Sequence, residues 1–146
     1  MNLEFRKAVP ADASLIVLRE SDEQEALAWL LEGTPDTALA ESIRLLEDTV
    51  TAVCGEDVVL IGGHSETGHE IHPWMMCSAG IVHHRKAIYK ASKLVLASLI
   101  ADYPDKLICN YVYKENLQAK RFLSSLGFRW VHSPGYSKFD FFYLPK

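Results

Sequence analysis

The chain reads as an α/β protein of the α+β kind, and three observations carry that reading. Strand-like and helix-like runs succeed one another in the order β-α-α-β-β-β-α-β-α-β-β. Two pairs of apolar runs, around Gly55-Glu56-Asp57 and around Ser133-Pro134-Gly135, predict antiparallel hairpins. One segment, Asn116 to Gly127, carries a complete helix signature from cap to stop.

In chain order, Leu3 to Ala8 alternates as a short strand should, and Pro10-Ala11-Asp12 supplies a turn and a cap before Leu15, Ile16 and Leu18. Ser21 with Gln24 predicts a capping box for a second piece of the first helical region, carrying Ala26, Leu27, Leu30 and Leu31, which Gly33 stops. Thr34-Pro35 has the cap-then-proline order of another helix start, with Leu39, Ile43 and Leu46 on one face. Thr51–Cys54 and Val58–Ile61 form the first hairpin, after which Gly62-Gly63 and Gly68 are expected to bound a polar loop. Ile71 to Ala79 reads as a strand, bent or near an edge at Pro73. Residues 84 to about 102 form the longest helix, with Ile88, Ala91, Val95 and Leu99 at helical spacing, ended by Tyr103-Pro104-Asp105. Leu107–Tyr113 is an apolar strand, and Phe128–His132 with Phe139–Tyr143 makes the terminal hairpin.

A chain of 146 residues has the usual size of one domain, and no Pro/Ser-rich or strongly charged stretch divides it, so residues 1–146 are expected to form a single domain. With 49% hydrophobic residues it can fill a core without disulfides. The formal charge of -4 gives no long-range attraction for nucleic acid. No apolar run approaches the ~20 residues of a membrane span. The polar start is unlike a signal peptide, which places the expected location in a cytoplasm. Cys54, Cys77 and Cys109 are odd in number, widely spaced and set in apolar runs, which favours reduced, buried thiols.

Asn116 is a good N-cap, Ala119, Phe122, Leu123 and Leu126 recur at helical spacing, and Gly127 can adopt the left-handed backbone that ends a helix. This pattern, followed by Phe128 and preceded by the strand Leu107–Tyr113, resembles the C-terminal half of the GNAT N-acetyltransferase superfamily, most strongly over residues 106 to 130. The resemblance implies a mixed, mostly antiparallel central sheet of six to seven strands with helices on both faces. It also implies acetyl-CoA as cofactor, with the Asn116 helix beside its pantetheine arm and adenine end, so that Asn116 and Phe122 become cofactor-binding candidates. A tyrosine on that helix often protonates the departing thiolate in the superfamily; the matching position here is Leu123.

The pyrophosphate of such a cofactor needs backbone N–H groups at a helix start. The corresponding stretch is Gly80-Ile81-Val82-His83-His84-Arg85-Lys86, in which His83, His84, Arg85 and Lys86 suit phosphate but the superfamily's glycine-rich pattern is missing. Cations at a helix N-terminus are unfavourable without an anion, which keeps these four as cofactor candidates. For proton transfer the candidates are Glu70 and His72 as base and Tyr111, Tyr113 or Tyr89 as a substitute acid. His64, His69 and His72 lie close in sequence, but His69-x-x-His72 lacks a second ligand pair, so no metal site is expected. Ser78 and Ser92 lack the glycines of a nucleophile elbow, and Gly62-Gly63 does not open a nucleotide loop.

A further set of features, Thr49-Val50-Thr51, Leu60-Ile61-Gly62-Gly63, Trp74-Met75-Met76-Cys77-Ser78, Asn110–Tyr113, Arg121-Phe122-Leu123 and Gly127, resembles the degenerate GNAT-like internal virion proteins of short-tailed bacteriophages. That resemblance implies a role in assembly or genome delivery, in a virion or the host cytoplasm, with a virion or host protein as partner and catalysis reduced or absent. The alternative is an active acetyl-CoA-dependent N-acyltransferase acting on a small amine or a protein.

Overall fold

The architecture comes from a computed structural model, which describes residues 2–135 and 137–146. Seven strands pair in the order β1 (Glu4–Lys7), β2 (Val50–Cys54), β3 (Asp57–Glu66), β4 (Glu70–Cys77), β5 (Leu107–Tyr113), β7 (Phe139–Tyr143), β6 (Arg129–Val131). The β4–β5 pair is parallel, and β1–β2, β2–β3, β5–β7 and β6–β7 are antiparallel, giving the mixed, mostly antiparallel sheet expected. The helices are α1 (Asp12–Leu15), α2 (Glu20–Trp29), α3 (Pro35–Leu45), α4 (Arg85–Asp102) and α5 (Leu117–Ser125), with a 3-10 turn at Ala79–His83. Two compact units share these elements: one is the chain up to His64 with Trp74–Arg85, the other Ser65–Pro73 with Lys86–Lys146.

In the first unit, Ala8, Ala13, Ile16, Leu39, Ile43, Val58 and Ile61 form the core, with Val53 and Trp74 packed against it. Asp12 organises its start. The fully buried carboxylate accepts two hydrogen bonds from Arg6 at 2.8 Å, one from the Val9 N–H at 2.9 Å and one from the Thr51 hydroxyl at 2.8 Å. α3 begins as predicted, with Thr34 and Thr37 capping reciprocally and Pro35 in the first turn.

α2 departs from the expected capping box. Its N-cap is Arg19, whose N–H bonds to the Cys77 carbonyl at 2.9 Å, so the helix opens ahead of Ser21. Gln24 reaches Glu20 instead, and the acids Glu20, Asp22 and Glu23 suit the positive end of the helix. The helix also ends at Trp29, before Gly33, whose φ of 81° serves the turn into Thr34. Gly62 and Gly63 do not bound a loop; they lie inside β3, which runs on to Glu66. A Cβ on Gly62 would lie 3.1 Å from the Trp74 carbonyl oxygen, and one on Gly63 would lie 3.1 Å from Thr49 Oγ1. Close approach of neighbouring chain, rather than a turn, is the reason for the glycine pair.

In the second unit, Ile71, Leu96, Leu99, Ile108, Val112, Leu126, Phe128 and Phe142 form the core, and Phe122 and Leu123 pack against it. The buried stripe of α4 is Ile88, Leu96 and Leu99; Val95, expected on it, is exposed. α5 follows its sequence signature closely. Asn116 accepts from the Ala119 N–H at 3.1 Å, Gly127 has φ 96°, and the Phe128 N–H returns to the Leu123 carbonyl at 3.0 Å. β7 lies between β5 and β6, so Phe142 is buried while Phe139 and Phe141, on the other side of the strand, meet the Tyr113 and Tyr111 rings edge-on. Cys77 and Cys109 are buried and Cys54 half-buried, and none of the three is in a disulfide.

Candidate functional site

Side chains alternate along a strand, so Glu70 and His72 leave β4 on one side while Ile71 enters the core on the other. The start of β4 is fixed by a turn, in which the Glu70 N–H donates to Thr67 Oγ1 at 3.1 Å and the Thr67 N–H to the Glu70 carbonyl at 2.9 Å. Beside it the Leu107 N–H donates to the His69 carbonyl at 3.0 Å, and the parallel register pairs Glu70 with Leu107 and Ile71 with Ile108. That register brings Cys109, two residues along β5 from Leu107, to the same side as Glu70 and His72. His72 Nε2 lies 2.9 Å from Glu70 Oε1, and the carboxylate, the imidazole and Cys109 Sγ offer donor atoms within 4.8 Å of one another.

The electrostatics follow from burial. Glu70 and His72 are half-buried, whereas Cys109 is shut away from solvent. The hydrogen bond to His72 holds the Glu70 carboxyl below its ordinary range, against the opposing effect of partial burial and with help from the Cys109 thiol. Burial, reinforced by the negative charge of Glu70, pushes the Cys109 thiol up to about 12. A thiol so raised is not a nucleophile at neutral pH.

Tyr111 and Tyr113 stand on the Cys109 side of β5 by the same alternation. Tyr111 is exposed, with its ring against Phe141. Tyr113 is half-buried, its hydroxyl 3.3 Å from a Glu115 carboxylate oxygen, and burial followed by that negative charge raises its pKa. Asn110, on the core side, donates from Nδ2 to the Pro73 carbonyl at 3.0 Å and accepts the Tyr111 N–H.

His83 closes the 3-10 turn, His84 is half-buried, and Arg85 and Lys86 open α4 as exposed cations. The first turn of α4 carries no acid, so two cations stand at a helix N-terminus, a charge distribution that fits a polyanionic cofactor. The glycine cradle is absent from this place. Gly80 has no positive φ, and a Cβ on it would meet only Ser78 Oγ, at 3.4 Å. Asn116 is fully buried with its Oδ1 committed to the cap, Phe122 is half-buried against the core, and so is Leu123 at the position of the missing tyrosine.

Spacing made Glu70 and His72 visible in the sequence, but Cys109 was missed as their neighbour. It lies on another strand, and nothing local announces a parallel register.

No protein-family model matches the chain, and no characterised protein matches it by sequence. Solved structures do resemble it. The PaiA N-acetyltransferase from Thermoplasma acidophilum in complex with coenzyme A superposes with a TM-score of 0.68 at 16% identity, covering 100% of each chain. Ard1 from Thermoplasma volcanium gives a TM-score of 0.66 at 17% identity over 99% of each chain. The GNAT domain of S. lividans PAT gives 0.69 at 10% identity, over 97% of this chain and 89% of that one. The chain therefore has the fold of the GNAT acetyltransferases.

Proposed function

We propose that residues 1–146 form one acyl-CoA-dependent N-acyltransferase domain acting on the amine of a small molecule or a protein. The observation that carries this reading is the full-length likeness to an N-acetyltransferase solved with coenzyme A. Arg85 and Lys86 with the first N–H groups of α4 would hold the phosphates of acetyl-CoA, with His83 and His84 beside them. The cofactor supplies the thioester carbonyl as acyl donor. His72, oriented by Glu70, accepts the proton that the acceptor amine must lose. Tyr111 and Tyr113 stand on the same side of β5 as the available acids.

A thermal-shift titration with acetyl-CoA tests the reading, because a ligand that binds only the folded state raises its stability by about 2.7 kcal/mol at a hundredfold excess over Kd. A rise in Tm, with amine-dependent release of CoA that falls about 10²–10⁴-fold in His72→Gln, is the expected result. No shift at millimolar acetyl-CoA overturns it. One specific observation favours a second reading, a virion assembly or interaction role with catalysis reduced: the helix position that often carries the acid is Leu123, packed on the core. Absence of acetyl-CoA binding would move the balance to that reading.

A further inference from the structure

Among the described residues, Cys109 is brought together with both a carboxylate and an imidazole, those of Glu70 and His72. We propose that Glu70, His72 and Cys109 form a three-ligand binding site for a divalent ion of the zinc class. The donor set is oxygen, nitrogen and sulfur, the three ligand types zinc takes from proteins. Zinc bonds of about 2.0–2.3 Å place tetrahedral donors roughly 3.3–3.8 Å apart, so atoms lying within 4.8 Å close onto an ion with about 1 Å of movement. Half-buried Glu70 and His72 supply that movement, while Cys109 stays where β5 holds it.

Charge balance points the same way: a thiolate and a carboxylate match the two positive charges of a dication with a neutral imidazole as the third ligand. The backbone is suited to the task. Two ligands sit at alternate positions of β4 and the third on β5, joined by the parallel register at Glu70–Leu107 and Ile71–Ile108. Three protein ligands leave a tetrahedral ion one open position. On the acyltransferase reading above, an ion held here removes Glu70 and His72 from proton transfer and silences the enzyme; the site itself does not depend on that reading.

Titration of the reduced full-length chain with Co2+, a spectroscopic stand-in for Zn2+, tests the proposal. One ion per chain is expected, with a thiolate-to-cobalt charge-transfer absorption that Zn2+ displaces. Cys109→Ser should abolish the absorption and Cys54→Ser should leave it intact. His72→Gln, at a half-buried position, should weaken binding by about tenfold or more. Absorption that persists in Cys109→Ser, His72→Gln binding as tightly as the parent, or no binding by the parent would each overturn the proposal. These readouts are independent of acetyl-CoA, so a failed acyltransferase reading leaves them unchanged.

Discussion

Asp12 and Glu70 are both carboxylates at the edge of an apolar core, yet they are placed for opposite purposes. Asp12 is closed off from solvent, and four hydrogen bonds occupy its two oxygens, two from Arg6 and one each from Val9 and Thr51. Glu70 is half-buried and faces a histidine and a thiol. The first pattern places three hydrogen bonds on Oδ2 and one on Oδ1 and joins β1, α1 and β2. In the second, a carboxylate is positioned but not saturated, the arrangement that proton transfer or ion binding requires. The two acids differ both in burial and in what surrounds their oxygens.

The largest expected effect breaks the structural member of the pair. Asp12→Ala leaves the buried Thr51 hydroxyl and the Val9 N–H without their acceptor, and each such loss costs about 1–3 kcal/mol. Destabilisation of about 3 kcal/mol or more is expected, read as a lowered urea midpoint with the m-value unchanged. A change under about 1 kcal/mol would show that Asp12 is not the anchor its hydrogen bonds describe.

Acid tests the same residue without mutation. The Arg6 hydrogen bonds hold the folded-state pKa of Asp12 at about 2, against 3.8 in the unfolded chain, with Val9 and Thr51 assisting against burial. A lowered folded-state pKa means that the stabilisation is complete above the unfolded value and drains away as pH falls from about 3.8 to about 2. Asp12→Asn should lose this segment of the pH–stability curve. An unaltered acid limb would mean that other carboxylates govern acid unfolding.

How much of this was legible in the sequence differs between the two acids for physical reasons. Local signals survived folding: Thr34-Pro35, Asn116 and Gly127 act over three or four residues and stand where they were read. Signals that depend on distant chain did not. Asp12 reads as a helix cap, but its bond to Thr51 forms only after β1 and β2 pair. Gly62-Gly63 reads as a loop until the approach of Trp74 and Thr49 is known. The spacing of Glu70 and His72 was readable; the third member, Cys109, arrives through a parallel strand whose register leaves no local mark. Sequence reading made Asn116 both an N-cap and a cofactor candidate, and the cap is what the structure shows.

Asn116 extends the comparison to a neutral side chain, buried and with its Oδ1 accepting a backbone N–H. Asn116→Ala should cost about 1 kcal/mol, the usual loss of an N-cap, and Asn116→Ser should restore most of it. The Tm rise with acetyl-CoA should be the same in Asn116→Ser as in the parent. A rise that vanishes while the cap is preserved would return Asn116 to the cofactor.

Glu70→Gln gives the smallest stability change and the sharpest division. The amide keeps the volume of the carboxylate and can still accept a hydrogen bond from His72, and a half-buried position needs no charge to hold the core. A shift within about 0.5 kcal/mol is expected in the urea midpoint, as for surface positions generally. The same variant removes the anionic oxygen that orients His72 and that would bind a cation, so acyl transfer and Co2+ binding should both fall. A destabilisation comparable to that of Asp12→Ala would instead place Glu70 with Asp12, as a carboxylate that holds the fold.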